Sequence, residues 1–162
     1  MGRRNYLVEG VSGAGKTSVA TELQRRGYHV IHGDRQLAYQ GDPETGEPLP
    51  GTHHGHHIWK VDEVRALVAD HSNEMTFFCG GSRNFHHFIA LFDAVFVLEL
   101  DWATLDARLS LRPEDEFGRS PEQRALVKRV HATREDLPRD AVAIDATAPL
   151  GEVVDAILAH CR

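Results

Sequence analysis

Apolar residues in this chain of 162 residues occur in short continuous runs, separated by stretches with helical spacing. Short runs that are apolar throughout are typical of parallel strands that are buried on both faces. Five such runs predict strands: Tyr6 to Val8 with its neighbours, HVIH at 29–32, MTFFCGG at 75–81, AVFVLEL at 94–100 and AVAID at 141–145.

Apolar residues that recur every three or four positions predict helices between these strands. The positions are Val19, Ala20 and Leu23; Ile58, Val61, Val64, Leu67 and Val68; Trp102, Leu105 and Leu109; and Leu150, Val153, Val154, Ile157 and Leu158. FIALF at 88–92 is also expected to be helical, and Ser120-Pro121-Glu122-Gln123 carries the cap residues of a further helix. Residues 41–57 hold three prolines and four glycines, which predicts an irregular loop.

Strands that alternate with helices predict a single α/β domain over residues 1–162, with a five-stranded parallel sheet between two helical layers. In such a three-layer sandwich, ligands bind beyond the carboxyl ends of the strands. Candidate residues follow the predicted strands at that edge: Gly10 to Thr17, Asp34, Gly80 to Arg83, and Asp101. We therefore expect one ligand-binding edge.

The net charge of -6, with scattered Lys and Arg, argues against an extended nucleic-acid-binding surface but allows a local phosphate pocket. The two cysteines, Cys79 and Cys161, are far apart and form no CxxC motif. No signal-peptide pattern and no apolar run of 18 residues is visible. These features predict a cytoplasmic protein without membrane contact, and both a monomer and a dimer are compatible with them.

The phosphate-binding motif G-x4-G-K-[ST] is formed by Gly10, Gly15, Lys16 and Thr17, between a predicted strand and a predicted helix. Glycines let successive backbone N–H groups point at phosphate oxygens, and the helix N-terminus adds its positive dipole end. In this motif the lysine bridges the β and γ phosphates, and the threonine hydroxyl binds Mg²⁺. ATP and Mg²⁺ are therefore the expected ligands. The predicted phosphate-binding residues are Gly10, Ser12, Gly13, Ala14, Gly15, Lys16, Thr17 and Ser18.

Three segments together resemble the small P-loop kinases of metabolites, the group of shikimate kinase, gluconate kinase and the nucleoside or nucleoside-monophosphate kinases. They are GVSGAGKT at 10–17, with Asp34 at the end of the next strand, LELDWATLDARLSLR at 98–112, and AIDATAPL at 143–150. The resemblance covers nearly the whole chain as an order of elements. It implies a P-loop NTPase fold of the nucleotide-kinase type, with an acceptor-binding flap at about 35–70 and a short lid at about 111–120.

The same resemblance implies the nucleotide contacts. By position, Arg108 lies against the adenine, Arg112 and Arg119 contact the phosphates, and the turn from Ala146 to Pro149 borders the adenine. A loose phosphoryl-transfer transition state needs positive charge from several directions, so Arg112 is also expected to be catalytic. The alternative is a solvated loop, PEDEFGR at 113–119, whose acidic residues pair with Arg112 and Arg119.

Asp34 is the candidate general base or orienting group for an acceptor hydroxyl, and a candidate Mg²⁺ ligand, directly or through a water. A helix cap is the alternative. Arg35 and Arg83 are candidates for binding an anionic group of the acceptor, with a surface salt bridge as the alternative for Arg83. Gly80 and Gly81 resemble the glycines of shikimate kinase, where the backbone approaches the acceptor closely.

Four histidines lie in THHGHHIW at 52–59, and His86 and His87 follow later. We expect His56, His57 and Trp59 to contact the acceptor through imidazole hydrogen bonds and a flat indole face. Surface packing and Zn²⁺ binding are the alternatives, although the spacing lacks the Cys/His pattern of structural zinc sites.

The sequence therefore predicts an ATP-dependent small-molecule kinase, in which Lys16, Asp34 and Arg112 are catalytic. It would move the γ-phosphate of ATP to a hydroxyl, or a phosphate, of a small polar metabolite. A nucleoside or nucleoside-monophosphate kinase is an alternative in the same class. A nucleotide-gated binding protein or metal chaperone that uses the histidine loop is an alternative of a different class.

Overall fold

Five parallel strands form the central sheet of the computed structural model, which describes residues 4–113 and 115–161. Residues 1–3, Glu114 of the predicted lid, and Arg162 lie outside the described residues. Numbered in chain order, the strands are β1 Arg4–Glu9, β2 His29–His32, β5 Met75–Cys79, β6 Ala94–Glu99 and β7 Val142–Asp145. Their spatial order is β2-β5-β1-β6-β7, so β1 is central. The predicted five-stranded parallel sheet is confirmed.

Helices cover both faces of this sheet. They are α1 Lys16–Arg25, α2 Gly33–Gln36, α3 Val61–Ala69, α4 Trp102–Ser110, α5 Pro121–Thr133 and α6 Leu150–Ala159. Successive side chains of a strand point to opposite faces. Tyr6 and Val8 therefore belong to the core that contains α1, α4, α5 and α6, whereas Leu7 belongs to a second core with Val64 of α3. The three-layer sandwich is thus confirmed.

Ile58 lies in a strand, and the prediction that it belongs to a helix is wrong. Two short strands, β3 Ala38–Gln40 and β4 His57–Trp59, form a separate antiparallel ladder. The Asn84 side chain bonds both backbone polar groups of Trp59, with 3.1 Å from N–H to Oδ1 and 2.9 Å from Nδ2 to the carbonyl. Because these long-range bonds hold the segment extended, α3 begins only at Val61.

Residues 88–92 are helical, as predicted, only over Ile89–Leu91, and the turn there is 3₁₀. Another 3₁₀ turn, Phe85–His87, comes just before this segment. Five residues form too few helical hydrogen bonds to offset the cost of nucleation. Burial of Phe88 and Phe92, which are 2 % and 9 % exposed, determines the course of the chain here instead.

The start of α5 and the loop before β4 follow the sequence closely. Ser120 caps α5 by accepting a hydrogen bond from the Gln123 N–H at 3.2 Å. The Gln123 side chain accepts from the Gly118 N–H at 3.0 Å, so it secures the preceding loop instead of closing the predicted capping box. Residues 41–56 are irregular as predicted, apart from a β-bridge between Gly41 and Pro48 and the 3₁₀ turn His54–His56, whereas His57 already belongs to β4. In the described part of the chain, no helix combines the length and apolar character needed to cross a membrane.

Candidate active site

The loop between β1 and α1 forms one wall of a cavity of about 1170 Å³. Every residue from Gly10 to Val19 lines this cavity, so all the predicted phosphate-binding residues face one space. Gly13 and Gly15 have φ values of 92° and 106°, the left-handed region that glycine enters without steric cost. Since α1 begins at Lys16, the positive end of its dipole lies at the same wall.

Lys16 lies between the phosphate loop and two carboxylates. Its ammonium group donates to the Gly10 carbonyl within the loop. Burial lowers the pKa of Lys16 below its ordinary value of 10.5, while the negative charges of Glu9 and Asp34 act in the opposite direction. The lysine charge is thus placed where a phosphate chain in the loop would meet it.

Two arginines reach the phosphate loop from α4 and the residues after it. Arg108 donates to the carbonyl oxygens of Ala14 at 3.3 Å and Ala146 at 2.7 Å, and so ties the loop to the turn after β7. Arg112 donates to the Ser12 hydroxyl at 3.0 Å. Both arginines line the cavity, and among the described residues neither has a carboxylate partner. Their charge is available to an anionic ligand.

The predicted lid lies against the phosphate loop through Arg112. The same arginine donates to the Phe117 carbonyl at 2.7 Å, and the Phe117 ring lines the cavity. In the described part of 112–119, neither Asp115 nor Glu116 forms an ion pair with Arg112 or Arg119. The alternative of a self-neutralised loop therefore finds no support in these residues.

Two predicted nucleotide contacts lie away from the cavity. Among the described residues, neither Arg119 nor Pro149 lines it, and Pro149 instead precedes α6. The Nε atom of Arg119 is buried without a hydrogen-bond partner in the described chain. Ala146 does line the cavity, together with Ala148 and Leu150.

Asp34 lies on α2, directly after β2, and lines the same cavity as the phosphate loop. Its Oδ1 atom accepts three hydrogen bonds, from His57 Nε2 at 2.9 Å, Trp59 Nε1 at 3.3 Å and the Gly81 N–H at 3.2 Å. Within residues 4–113 and 115–161, no such bond reaches Oδ2. One carboxylate oxygen is thus fixed, and the other can accept a hydrogen bond from a bound molecule.

The environment of Asp34 keeps it ionised. Burial raises the pKa of Asp34, but the His57 hydrogen bond and the Lys16 charge oppose this and bring the pKa below its ordinary value of 3.8. The helix-cap alternative finds no support, because the three donors come from other parts of the fold. A carboxylate of this kind is suited to orient a hydroxyl and to take its proton late.

Trp59 and Gly80 lie next to the Asp34 carboxylate. Trp59 is 1 % exposed and its ring stacks on Phe88, with centroids 5.7 Å apart, so it offers no free face to a ligand. A Cβ atom at Gly80 would lie 2.8 Å from the Trp59 ring and 2.9 Å from Asp34 Oδ1. The φ value of Gly80 is +147°, so only glycine allows β5 to end this close to the carboxylate.

Arg83 forms a salt bridge, as its predicted alternative states, but the pair is largely buried instead of lying on the surface. Its Nη1 atom forms an ion pair with Asp136, and the two side chains are only 13 % and 14 % exposed. His54 Nε2 lies 2.6 Å from the same Asp136 oxygen and 3.2 Å from Arg83 Nη1. Burial raises the pKa of Asp136, but the His54 hydrogen bond and the Arg83 charge lower it overall. A second pair, between Arg129 and Glu135 at 3.0 Å, lies at the same wall in a more exposed position.

Two other predicted acceptor contacts point elsewhere. Among the described residues, the cavity wall includes neither Arg35, which is exposed on α2, nor His56. The His56 ring packs on His53, with centroids 4.5 Å apart. The predicted residues His57, Gly81 and Arg83 do line the cavity.

Glu9 is a buried carboxylate at the end of β1 that is not among the predicted site residues. It is 1 % exposed and accepts a hydrogen bond from the Gly10 N–H at 3.1 Å. A Cβ atom at Gly81 would lie 2.8 Å from Glu9 Oε1, so the carboxylate lies directly beside the glycine pair. Burial raises the pKa of Glu9 from 4.5 to about 7, although the charges of Lys16 and Arg83 oppose the shift. The signal in the sequence that could have identified Glu9 is its position as an acidic residue at the end of the apolar run Tyr6 to Val8.

Thr17 and Asp34, the predicted Mg²⁺ ligands, both line the cavity. A hydroxyl and a carboxylate are the oxygen ligands that Mg²⁺ prefers, and this ion usually keeps waters and phosphate oxygens as further ligands. The residues therefore fit the ion. Asp101, the acidic residue after β6, caps α4 by accepting from the Thr104 N–H at 3.1 Å, and it lies outside this wall in the described chain.

The histidine loop is held by hydrogen bonds. His54 and His57 are paired with carboxylates, and His53 Nδ1 accepts from the Gly55 N–H at 3.1 Å. In the described ranges, three close metal-ligating side chains occur at a different place, formed by Glu44, His86 and His87.

A parallel sheet with the order β2-β5-β1-β6-β7 and a phosphate loop after its central strand define an α/β P-loop NTPase fold of the nucleotide-kinase type. Solved structures of small P-loop kinases share this fold. A gluconokinase from Sinorhizobium meliloti 1021 is 22% identical and has a TM-score of 0.57, over 96% of this chain and 90% of its own. The shikimate kinase from Bacteroides thetaiotaomicron is 12% identical, with a TM-score of 0.60 over 98% of both chains.

The deoxyadenosine kinase from M. mycoides with bound dATP is 14% identical, with a TM-score of 0.53 over 98% of this chain and 99% of its own. At identities this low, the structural similarity shows a common fold and nothing further about this chain. No protein-family model matches the chain, and no curated protein matches it.

Proposed function

We propose that this protein is an ATP-dependent phosphotransferase that moves the γ-phosphate of ATP to a hydroxyl group of a small polar molecule. One observation carries the proposal: the cavity that the complete phosphate loop lines is also lined by Asp34, whose Oδ2 atom has no hydrogen-bond partner among the described residues. The fold shared with the kinase structures supports the same class of reaction.

The phosphate loop and the arginines would bind the donor. The loop N–H groups and Lys16 bind the β and γ phosphates, and Arg108 and Arg112 exchange their carbonyl and hydroxyl contacts for phosphate or base contacts. When bound, Mg²⁺ held through Thr17 and Asp34 supplies further positive charge to the phosphate oxygens. Phe117 and the lid help to exclude water, which favours transfer over hydrolysis.

Asp34 would position the acceptor. Its Oδ2 atom accepts a hydrogen bond from the acceptor hydroxyl, whose oxygen then faces the γ phosphorus. A new bond forms between that oxygen and phosphorus, the bond to the β–γ bridging oxygen breaks, and ADP leaves with its electron pair. The hydroxyl proton passes to Asp34, late in a loose transition state, which agrees with the low pKa of this carboxyl group.

The ion pairs that line the cavity, away from the phosphate loop, favour an uncharged acceptor. Arg83 is paired with Asp136, and Arg129 with Glu135. A phosphate or carboxylate on the acceptor would have to separate such a pair and leave a carboxylate unpaired, which is costly for shielded groups. We therefore favour a sugar, polyol or nucleoside over a nucleoside monophosphate.

A nucleoside kinase is the second candidate function. The His54 and Phe117 rings lie nearly parallel, at 10° and 6.1 Å between centroids, and both line the cavity. Two flat side chains at one wall offer a surface against which a planar base can stack. This observation favours a nucleoside among the uncharged acceptors.

The test is ADP release from Mg²⁺-ATP by metal-free purified protein, with a panel of polyols, sugars and nucleosides. We expect at least one uncharged compound to raise the rate about tenfold or more above ATP hydrolysis in water, and to gain a phosphoryl group by mass spectrometry. Nucleotide binding without acceptor-dependent ADP release would instead favour a nucleotide-gated binding protein.

A further inference from the structure

We propose that Glu44, His86 and His87 form a binding site for Zn²⁺. Each of these side chains brings a ligand atom within 4.8 Å of the other two. Glu44 belongs to the loop after β3, whereas the histidines form the 3₁₀ turn after β5. The site lies outside the cavity wall of the described residues, so the proposal does not depend on the proposed function.

The chemistry of this group suits Zn²⁺. Two imidazoles and one carboxylate are a known zinc ligand set, which leaves a fourth position to water. With zinc–ligand bonds of about 2.1 Å, the ligand atoms of a tetrahedral site lie about 3.4 Å apart. His86 Nε2 and Glu44 Oε1 lie 3.5 Å apart, so this pair already has the required separation.

The histidine side of the site is held by the core. Phe88, next to His87, is 2 % exposed and stacks on Trp59. Asn84, just before the turn, is 1 % exposed and bonds the backbone of Trp59. Since both ends of the turn are fixed, the two imidazoles are presented in a restricted geometry, which lowers the entropic cost of binding an ion.

The glutamate side is held as a turn. Asp42 Oδ1 accepts a hydrogen bond from the Glu44 N–H at 2.8 Å, and the Tyr39 hydroxyl donates to the Gly46 carbonyl at 2.6 Å. His87 Nε2 donates to the Pro43 carbonyl at 2.8 Å, which joins the two segments directly. An imidazole that donates from Nε2 carries its lone pair on Nδ1, and metal-bound histidines commonly make such a bond to a backbone carbonyl.

The ion would clamp the loop after β3 to the segment after β5. Both segments continue into the cavity wall, the first through Gln40 and Thr52 and the second through Arg83. The ligands are reached from solvent, since the side chains of Glu44 and His86 are 77% and 45% exposed. Zn²⁺ can therefore bind the folded chain and restrict this loop without opening the core.

The experiment is calorimetric titration of chelator-stripped full-length protein with Zn²⁺ alone, without ATP or acceptor. We expect one saturable equivalent in the wild type and an affinity at least about tenfold weaker in Glu44→Gln, His86→Ala and His87→Ala. His56→Ala is the matched control, because it removes an imidazole from the rival histidine loop, and it should bind as the wild type does. Thermal unfolding without metal establishes that each variant is folded.

Limited proteolysis supplies a second measurement. Zn²⁺ should slow cleavage between residues 41 and 51 in the wild type and in His56→Ala, but not in His86→Ala. The proposal is overturned if the wild type shows no saturable binding, if all variants bind equally, or if His56→Ala loses the ion while His86→Ala retains it. None of these results bears on phosphoryl transfer, which has its own assay.

Discussion

The two ends of the cavity handle positive charge in opposite ways. At the donor end, which the phosphate loop lines, Arg108 and Arg112 donate to carbonyl and hydroxyl oxygens, and among the described residues they meet no carboxylate. At the acceptor end, which Asp34 lines, Arg83 is paired with Asp136. Both ends carry guanidinium groups, but only the donor end has unneutralised ones in the described chain.

This difference in charge pairing predicts whether each end of the cavity binds an anionic or an uncharged group. A guanidinium that bonds neutral oxygens gains a charge-assisted contact when a phosphate replaces them. A shielded guanidinium that already faces a carboxylate gains little from a second anion, because the first would be left unpaired. On the proposed function, we therefore expect the donor end to bind the phosphate chain and the acceptor end to disfavour another negative charge.

The largest expected effect is at Lys16, the central cation of the donor end. Lys16→Ala should lower kcat by about 10²-fold or more, because a charge contact to the transition state is lost. Steady-state ADP release with the best acceptor of the panel measures this. Arg25→Ala, which removes an exposed surface cation paired with Glu22, is the control and should leave the rate nearly unchanged. A rate in Lys16→Ala close to that of the control would contradict the phosphate-loop assignment.

Asp34→Asn tests the acceptor end. We expect kcat to fall by about 10²-fold while the KM for ATP changes little, since the amide cannot take the hydroxyl proton. The same kinetic assay separates the two constants. Asp70→Asn, a change at an exposed carboxylate beyond α3, is the matched control. If Asp34→Asn altered only the KM for ATP, Asp34 would belong to the donor end.

Glu9→Gln tests the buried carboxylate between the two ends. The folded-state pKa of about 7 lies above 4.5, so folding favours the protonated form. Its contribution to stability is fully present below pH 4.5 and is lost as pH rises through 7. Between pH 4 and pH 8 the wild type should therefore lose on the order of 2 to 3 kcal/mol of unfolding free energy through this group. Glu9→Gln cannot titrate and should not show this loss. Urea unfolding at both pH values measures this, and parallel pH profiles would show that Glu9 titrates normally.

Asp136→Asn should give the smallest effect and bears most directly on the charge comparison. Releasing Arg83 should raise the ratio of kcat/KM for a carboxylated acceptor over its uncharged analogue by about tenfold, the size of one charge-assisted hydrogen bond. Glu135→Gln, at the more exposed pair, is the control and should change the ratio less. An unchanged ratio in a folded Asp136→Asn protein would mean that the pairing does not set acceptor charge.

Much of the fold was predictable because its signals are local. The apolar runs marked the five strands of the central sheet, and the phosphate loop was found from eight consecutive residues. Prediction failed at Ile58, where its spacing fits a helix but the Asn84 side chain holds the neighbouring Trp59 backbone in a strand. At 88–92 the predicted helical segment is reduced to a 3₁₀ turn between two buried phenylalanines.

The candidate site was predictable only in part. Asp34 could be selected from its place after a strand, but the three donors on Oδ1 come from three distant positions. The sequence predicts Trp59 at the ligand, yet its ring stacks on Phe88 and its Nε1 donates a hydrogen bond to Asp34 Oδ1. The side that a residue presents depends on packing partners that no local pattern records.

By itself, the sequence determined the five strands of the central sheet, the phosphate loop and the edge of the sheet at which the cavity lies. These depend on periodicity and on short contiguous motifs, and the chain expresses them wherever it folds. Only the tertiary structure decided that Asp136 neutralises Arg83, that Glu9 is buried beside the glycine pair, and that Glu44 meets His86. Charge pairing and metal ligation act over a few ångströms in space, so they arise only once the fold has brought distant segments together.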